Sequence, residues 1–314
     1  MESFTTTQIK MSLTALGIPF ESNEIELDRL QFKSFRRIEP HGIYYAEGRS
    51  DAGIRESLVL CADTTGFDGS NCLVRLSHPQ LAFYKLMRHF HGKSGSAGVH
   101  ASAIVDPGAV IAPGVEIGPY CVIGKAVLQA GVKLSSHVVV ADNCILGENT
   151  VVEPHSTIGA SGVAWVWDVE TGERIVQPQI GGVVIGKNCF LGSDVSIVRG
   201  SVNEDTVVGD GTVIAHGTKV GHGCSIGAHN HFANNVSLAG NVSTGERCFF
   251  GSAAVVRPMI SLAADTTVGA GAVVVSSVEL PHQLLMGVPA RSTEPAKDKL
   301  SGVPKKNSNR TEQP

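Results

Sequence analysis

The sequence predicts a mainly β protein, a parallel β-helix of hexapeptide repeats preceded by a small α/β domain. Three observations carry this expectation. From His100 onward an aliphatic residue returns every six positions. A period of six fits neither a 3.6-residue helix nor one long strand. Glycine makes up 36 of 314 residues without a three-residue period, so repeated tight turns explain its excess.

Residues 1–97 lack the repeat. Leu58 to Cys61 and Cys72 to Leu76 read as short buried strands. Pro79 to His91 reads as a helix, with Pro79 suited to its first turn and Phe83, Leu86/Met87 and Phe90 on one face. Gly92 to Gly98 is rich in Gly and Ser and reads as a linker.

Residues 98–280 form the repeat domain. The first run is Val105, Ile111, Ile117 and Ile123. After a one-residue slip come Leu128, Leu134, Val140, Leu146, Val152 and Ile158. An interruption over 160–182 follows, then Ile185, Leu191 and Ile197. A last run goes from Val202 through Val208 and Ile214 to Val274, with Thr244 its one polar member. Three hexapeptides make a coil, so residue n is expected under residue n+18, with coils about 4.8 Å apart. Cys121, Cys144, Cys189, Cys224 and Cys248 each fall four places after an aliphatic position, in the small inward slot that Thr206, Thr212 and Ala272 take elsewhere. They read as packing residues. Residues 281–314 read as a C-terminal segment with a polar, lysine-rich, disordered tail.

A net charge of −4 excludes a polyanion binder held by bulk charge, so nucleic acid is not an expected partner. No apolar run approaches the ~18 residues of a membrane span. MESFTTTQIK has no basic stretch followed by an apolar core. Seven cysteines without a CxxC pair argue against a disulfide framework and fit a reducing cytoplasm.

Chemistry on a regular solenoid must come from residues that break the repeat or crowd on one edge. Residues 214–240 hold His216, His222, His229 and His231, four of the twelve histidines. His222 follows Val220 by two, between Gly221 and Gly223. The stacking rule puts Glu204 one coil below it and Gly240 one coil above. A carboxylate can orient an imidazole and stabilise its cation, leaving the other nitrogen as a general base. The Gly240 N–H is open to a developing oxyanion. The competing reading of His222 is a solvated turn residue, and of Glu204/His222 a weak surface pair. The 160–182 loop carries both tryptophans, Trp165 and Trp167. It suits a binding role, or a hairpin packing a small core of its own. Asn235, in the same histidine-rich stretch, completes the candidate binding residues. His229-Asn230-His231 with His216 and His222 invites a zinc reading, but the four histidines fall in different columns, so no metal is expected.

The segment PQIGGVVIGKNCFLGSDVSIVRGSVNEDTVVGDGTVI (residues 178–214), with the Trp-rich loop before it, resembles UDP-3-O-(3-hydroxyacyl)glucosamine N-acyltransferases of lipid A synthesis. HPQLAFYKLMRHF (residues 78–90) is similar to that family's N-terminal helix. The resemblance reaches nearly the whole chain to about residue 275, and most strongly residues 156–226. It implies a left-handed β-helix, a homotrimer with sites between neighbouring β-helices, and acyl transfer to a sugar amine. It also implies His222 as base and an N-terminal domain that helps hold the uridine nucleotide. Tyr45 matches the first of the family's two uracil-clamping aromatics. The second position falls near Asp51, and a second family histidine aligns with Pro258. MGVPARS (residues 286–292) and Ala239-Gly240-Asn241-Val242 are similar instead to acetyl-CoA-dependent sugar N-acetyltransferases. The resemblance therefore implies a paralogue. It would take acyl carrier protein or CoA thioesters as co-substrate, hold no tightly bound cofactor, and act on a nucleotide-linked or lipid-linked amino sugar. A γ-carbonic-anhydrase-like zinc hydratase and a non-catalytic β-helix scaffold are the alternatives.

Overall fold

The computed structural model describes residues 2–47, 53–92 and 98–295. Two compact units divide the chain at Ser94/Gly95.

The N-terminal unit is a five-stranded sheet in the order Glu21–Ser22, Cys72–Arg75, Leu58–Cys61, Gly42–Ala46, Gln31–Phe32. Only the first pairing is antiparallel. Alternate strand residues face opposite sides, which splits its core in two. Ile43, Leu58 and Leu60 pack with helices Thr6–Ala15 and Pro79–His91, while Tyr44, Val59 and Cys61 face the other side. The Pro79–His91 helix and both strands lie where the sequence reading puts them, but Met87 is partly exposed. The Thr6–Ala15 helix went unread. Its signal is the Thr5-x-x-Gln8 capping box, in which the Thr5 hydroxyl accepts from Gln8 N and Gln8 Oε1 accepts from Thr5 N.

The second unit is a left-handed β-helix. Its strands form three sheets, with nine, eight and eleven strands among the described residues, all paired in parallel except the hairpin Gln283–Gly287/Ala290–Pro295, which supplies two of the eleven. One strand of each sheet makes a coil. The aliphatic positions line a continuous core from Ile117 through Leu191 and Ile214 to Val274. The cysteines at 121, 144, 189, 224 and 248 are all buried in it. Burial pushes the thiols of Cys144, Cys224 and Cys248 up to about 11.

Between Ile104 and Val274 the register has three irregular steps. Val122 pairs with Val139, one residue short of eighteen. Cys144 pairs with Val183 across the 160–182 insertion. Val183 pairs with Thr206, five residues beyond eighteen. The last step corrects the sequence reading. The core runs from Ile197 to Val208, and Val202 is 48% exposed in an excursion from the coil. All three irregularities fall at the corner where the nine-stranded sheet hands the chain to the eight-stranded one.

Candidate active site

His222 sits at that same corner, between strands Lys219–Val220 and Ser225–Ile226. Val220 and Cys224 are buried on either side and fix the turn. Gly223 takes a left-handed φ of +64°, and Asn241 Oδ1 lies 2.2 Å from where its β-carbon would be. A side chain there would be strained in both backbone and space.

The imidazole lies against Gly240, one coil on. A β-carbon on Gly240 would stand 2.4 Å from His222 Nε2, 2.7 Å from Cε1 and 2.9 Å from Cδ2. The Gly240 carbonyl accepts from Met259 N. Its N–H has no partner among the described residues. A ring nitrogen and an unspent backbone donor thus share one small surface. Pro258 stands one coil beyond Gly240, with neither an imidazole nor an N–H to offer.

Glu204 does not orient His222 as expected. Its carboxylate turns back on its own loop and accepts from Ser201 N at 2.9 Å, Val202 N at 3.3 Å and Asn203 N at 3.2 Å. The Ser201 and Val202 N–H groups hold its pKa below the usual glutamate value. The physical reason is the five-residue excursion. Glu204 belongs to the loop 199–205 rather than to a coil, so it satisfies the loop's free N–H groups first. His222 Nδ1 is left buried with no hydrogen-bond partner.

The excursion is clamped to the base of the 160–182 insertion. Arg199 N donates to Ala160 O, Gly200 N and Thr206 N to Gly182 O, and Ile180 N to Ser201 O. Asp205 Oδ1 accepts from Gly182 N at 2.6 Å. Thr206 Oγ1 accepts from Gly223 N at 2.9 Å, tying the excursion to the His222 turn. This network, which sequence reasoning missed, makes insertion, excursion and histidine one connected edge.

The insertion is a hairpin of Trp165–Trp167 against Arg174–Val176. Trp165 and Trp167 meet edge to face at 5.3 Å between centroids, yet are 44% and 58% exposed. All six strand residues are exposed, so the hairpin has no core of its own. At its base Gln179 is buried and its Oε1 accepts from Gly162 N, while Nε2 has no partner.

The other expected residues lie apart from this edge. Asn235 is at a different corner, with φ +60° and Oδ1 2.1 Å from where a Gly217 β-carbon would be. That is the place of a turn former. Tyr45 belongs to the N-terminal unit, half-buried in an aromatic group with Phe35, Phe83 and Tyr84 and accepting from Gln80 Nε2. Asp51 lies outside the described residues. His216 Nδ1 accepts from Ser193 N at 2.8 Å, and His231 packs on Phe249. Among the described residues no three His, Cys, Asp or Glu gather where a metal ion would need them.

Coils of six-residue repeats and a corner histidine seated on a glycine define this as a hexapeptide-repeat β-helix protein. The family described as "hexapeptide repeat of succinyl-transferase" matches residues 182–215 and 241–276. The chain is similar to UDP-3-O-acylglucosamine N-acyltransferases. With that of Bordetella avium it shares 32% identity over 128 residues, 40% of this chain and 35% of the relative. With that of Herminiimonas arsenicoxydans it shares 33% over 133 residues, 42% and 37% of the two chains. These matched regions span little more than a third of the relatives' length, a shorter reach than the sequence reading expects. The crystal structure of a UDP-N-acetylglucosamine acyltransferase from Francisella novicida superposes with a TM-score of 0.56 at 28% identity, covering 62% of this chain and 69% of that one.

Proposed function

We propose that this protein is an acyltransferase that moves an acyl group from a thioester, carried by acyl carrier protein or CoA, to the amine of a nucleotide-linked or lipid-linked amino sugar. The observation that carries the reading is the seat of His222 on Gly240. His222 Nε2 removes the proton as the amine nitrogen attacks the thioester carbonyl carbon. The carbonyl oxygen becomes an oxyanion and takes the Gly240 N–H. On collapse the C–S bond breaks and the imidazolium returns its proton to the departing thiolate. No tightly bound cofactor enters this scheme.

The relatives' names supply the substrate class, and lipid A synthesis or another surface polysaccharide route is the setting we assign. No helix among the described residues is long and apolar enough to cross a membrane, and we place the reaction in the cytoplasm. We further propose a homotrimer in which the exposed Trp165/Trp167 hairpin lies on a neighbouring copy, beside the acyl chain or pantetheine. Tyr45 is our candidate for the nucleotide base, and Asn235 for a substrate contact.

The test is thiol release by the purified chain. Acetyl-CoA and 3-hydroxyacyl carrier protein are each paired with a panel of UDP- and dTDP-amino sugars. Release that depends on one amino sugar and falls about 10²–10⁴-fold in His222→Ala is the expected result. A His222→Ala variant that is folded and as active as the native chain would overturn the assignment.

A further inference from the structure

His222 Nδ1 and the Glu204 carboxylate form a mismatched pair. The nitrogen is buried from water and has no partner, so only a protein group can satisfy it. Two other charged groups of this edge are committed. Asp205 Oδ1 is held by Gly182 N. Arg199 donates through Nε to Gly159 O and through Nη2 to Asp142 O. Glu204 is the carboxylate that borders the turn: its Cγ lies 3.5 Å from where a β-carbon on Gly223, the residue after His222, would stand.

What holds Glu204 away is itself a recognisable site. Three successive N–H groups, of Ser201, Val202 and Asn203, converge on its two oxygens. Successive converging N–H groups make an anion-binding concavity. Here an internal carboxylate fills it.

The geometry points to a two-station carboxylate: the Ser201–Asn203 N–H groups are a phosphate subsite that Glu204 occupies at rest, and a substrate phosphate that takes the subsite releases Glu204 to accept from His222 Nδ1–H. The proton ledger is simple. Neutral His222 carries its proton on Nδ1 in the released state, leaving Nε2 free to accept the amine proton. Substrate binding would thus set the tautomer of the base. This rests on the reading of His222 as the base, and it adds a phosphate site and a trigger.

The test is nitrogen NMR of the full chain labelled with 15N-histidine, with His222→Ala for assignment and inorganic pyrophosphate as probe. Pyrophosphate should bind and move His222 to the Nδ1–H tautomer. In Glu204→Ala, whose side chain offers no acceptor, pyrophosphate should still bind, while the tautomer change is lost. Absence of pyrophosphate binding, binding with no change at His222, or an equal change in Glu204→Ala would each overturn the proposal. The native-chain titration decides even where the variant is unfolded. It also needs no turnover, so thiol release by His222→Ala judges the base separately from the two-station carboxylate.

Discussion

His222 Nε2 and Gly240 are in such close register that a single β-carbon on Gly240 would come within 2.4 Å of the ring nitrogen. The glycine is needed for space, since its φ is not in the left-handed region. Gly240→Ala should therefore spare the fold but push the ring aside and crowd the N–H. Thiol release should fall about 10²-fold or more, the scale of a lost oxyanion donor. An unchanged melting curve beside that loss is the expected pairing.

Glu204 gives an acid-side signature. Its folded pKa lies below the usual value because Ser201 N and Val202 N stabilise the carboxylate. A depressed carboxyl adds stability that is present above its unfolded pKa and is lost as pH falls through the folded one. Amide exchange at Ser201 and Val202 should therefore be slow near neutrality and gain an extra acceleration below about pH 4. Glu204→Gln should remove that acid-dependent step.

The cysteines give a chemical one. All seven are buried, and Cys144, Cys224 and Cys248 have thiols pushed up to about 11. At pH 8 the native chain should resist iodoacetamide, and in concentrated urea it should take up seven equivalents, as mass spectrometry would show.

The core is tested at Phe250, whose ring stacks on Phe232 at 4.4 Å and 5°. Both are fully buried. Phe250→Ala should cost about 3–5 kcal/mol in urea unfolding.

Both tryptophans of the chain lie on the hairpin and are exposed, so tryptophan fluorescence, excited selectively, reports on that arm alone. Assembly through the arm predicts an emission maximum that shifts to the blue as protein concentration rises. Trp165→Ala with Trp167→Ala should weaken assembly, by sedimentation, while each copy keeps its fold.

The solenoid was legible because its rule is arithmetic: an aliphatic residue every six, a partner every eighteen. That rule placed Gly240 on His222, and it holds there because Lys219 pairs with Ser237 in an unbroken coil. At Glu204 it revealed neither the excursion nor the hydrogen bonds of the side chain. Val202 and Val208 are six apart, which imitates the repeat, yet Ile197 to Val208 spans one hexapeptide plus five extra residues. An apolar residue in a loop carries the same letter as one in the core. The direction of the Glu204 side chain was equally hidden, since free loop N–H groups compete for it and leave no mark in spacing. Nor does its closeness in sequence to the histidines show that Asn235 stands at another corner, in a turn with φ +60°.

The corner shared by the one-residue slip, the hairpin and the 199–205 excursion has a consequence for how such a chain can change. Along the walls, one added or lost residue would turn every later inward side chain toward solvent, so length there is locked. At the corner the chain leaves one ladder and rejoins the next in phase whatever the detour, whether short, long or folded into an arm. The wall acts as a fixed ruler and the corner as its adjustable slot. Because His222 and Gly240 occupy that slot, new loops arrive beside the reacting atoms without disturbing the columns that hold them, and substrate choice can drift while the core stays in register.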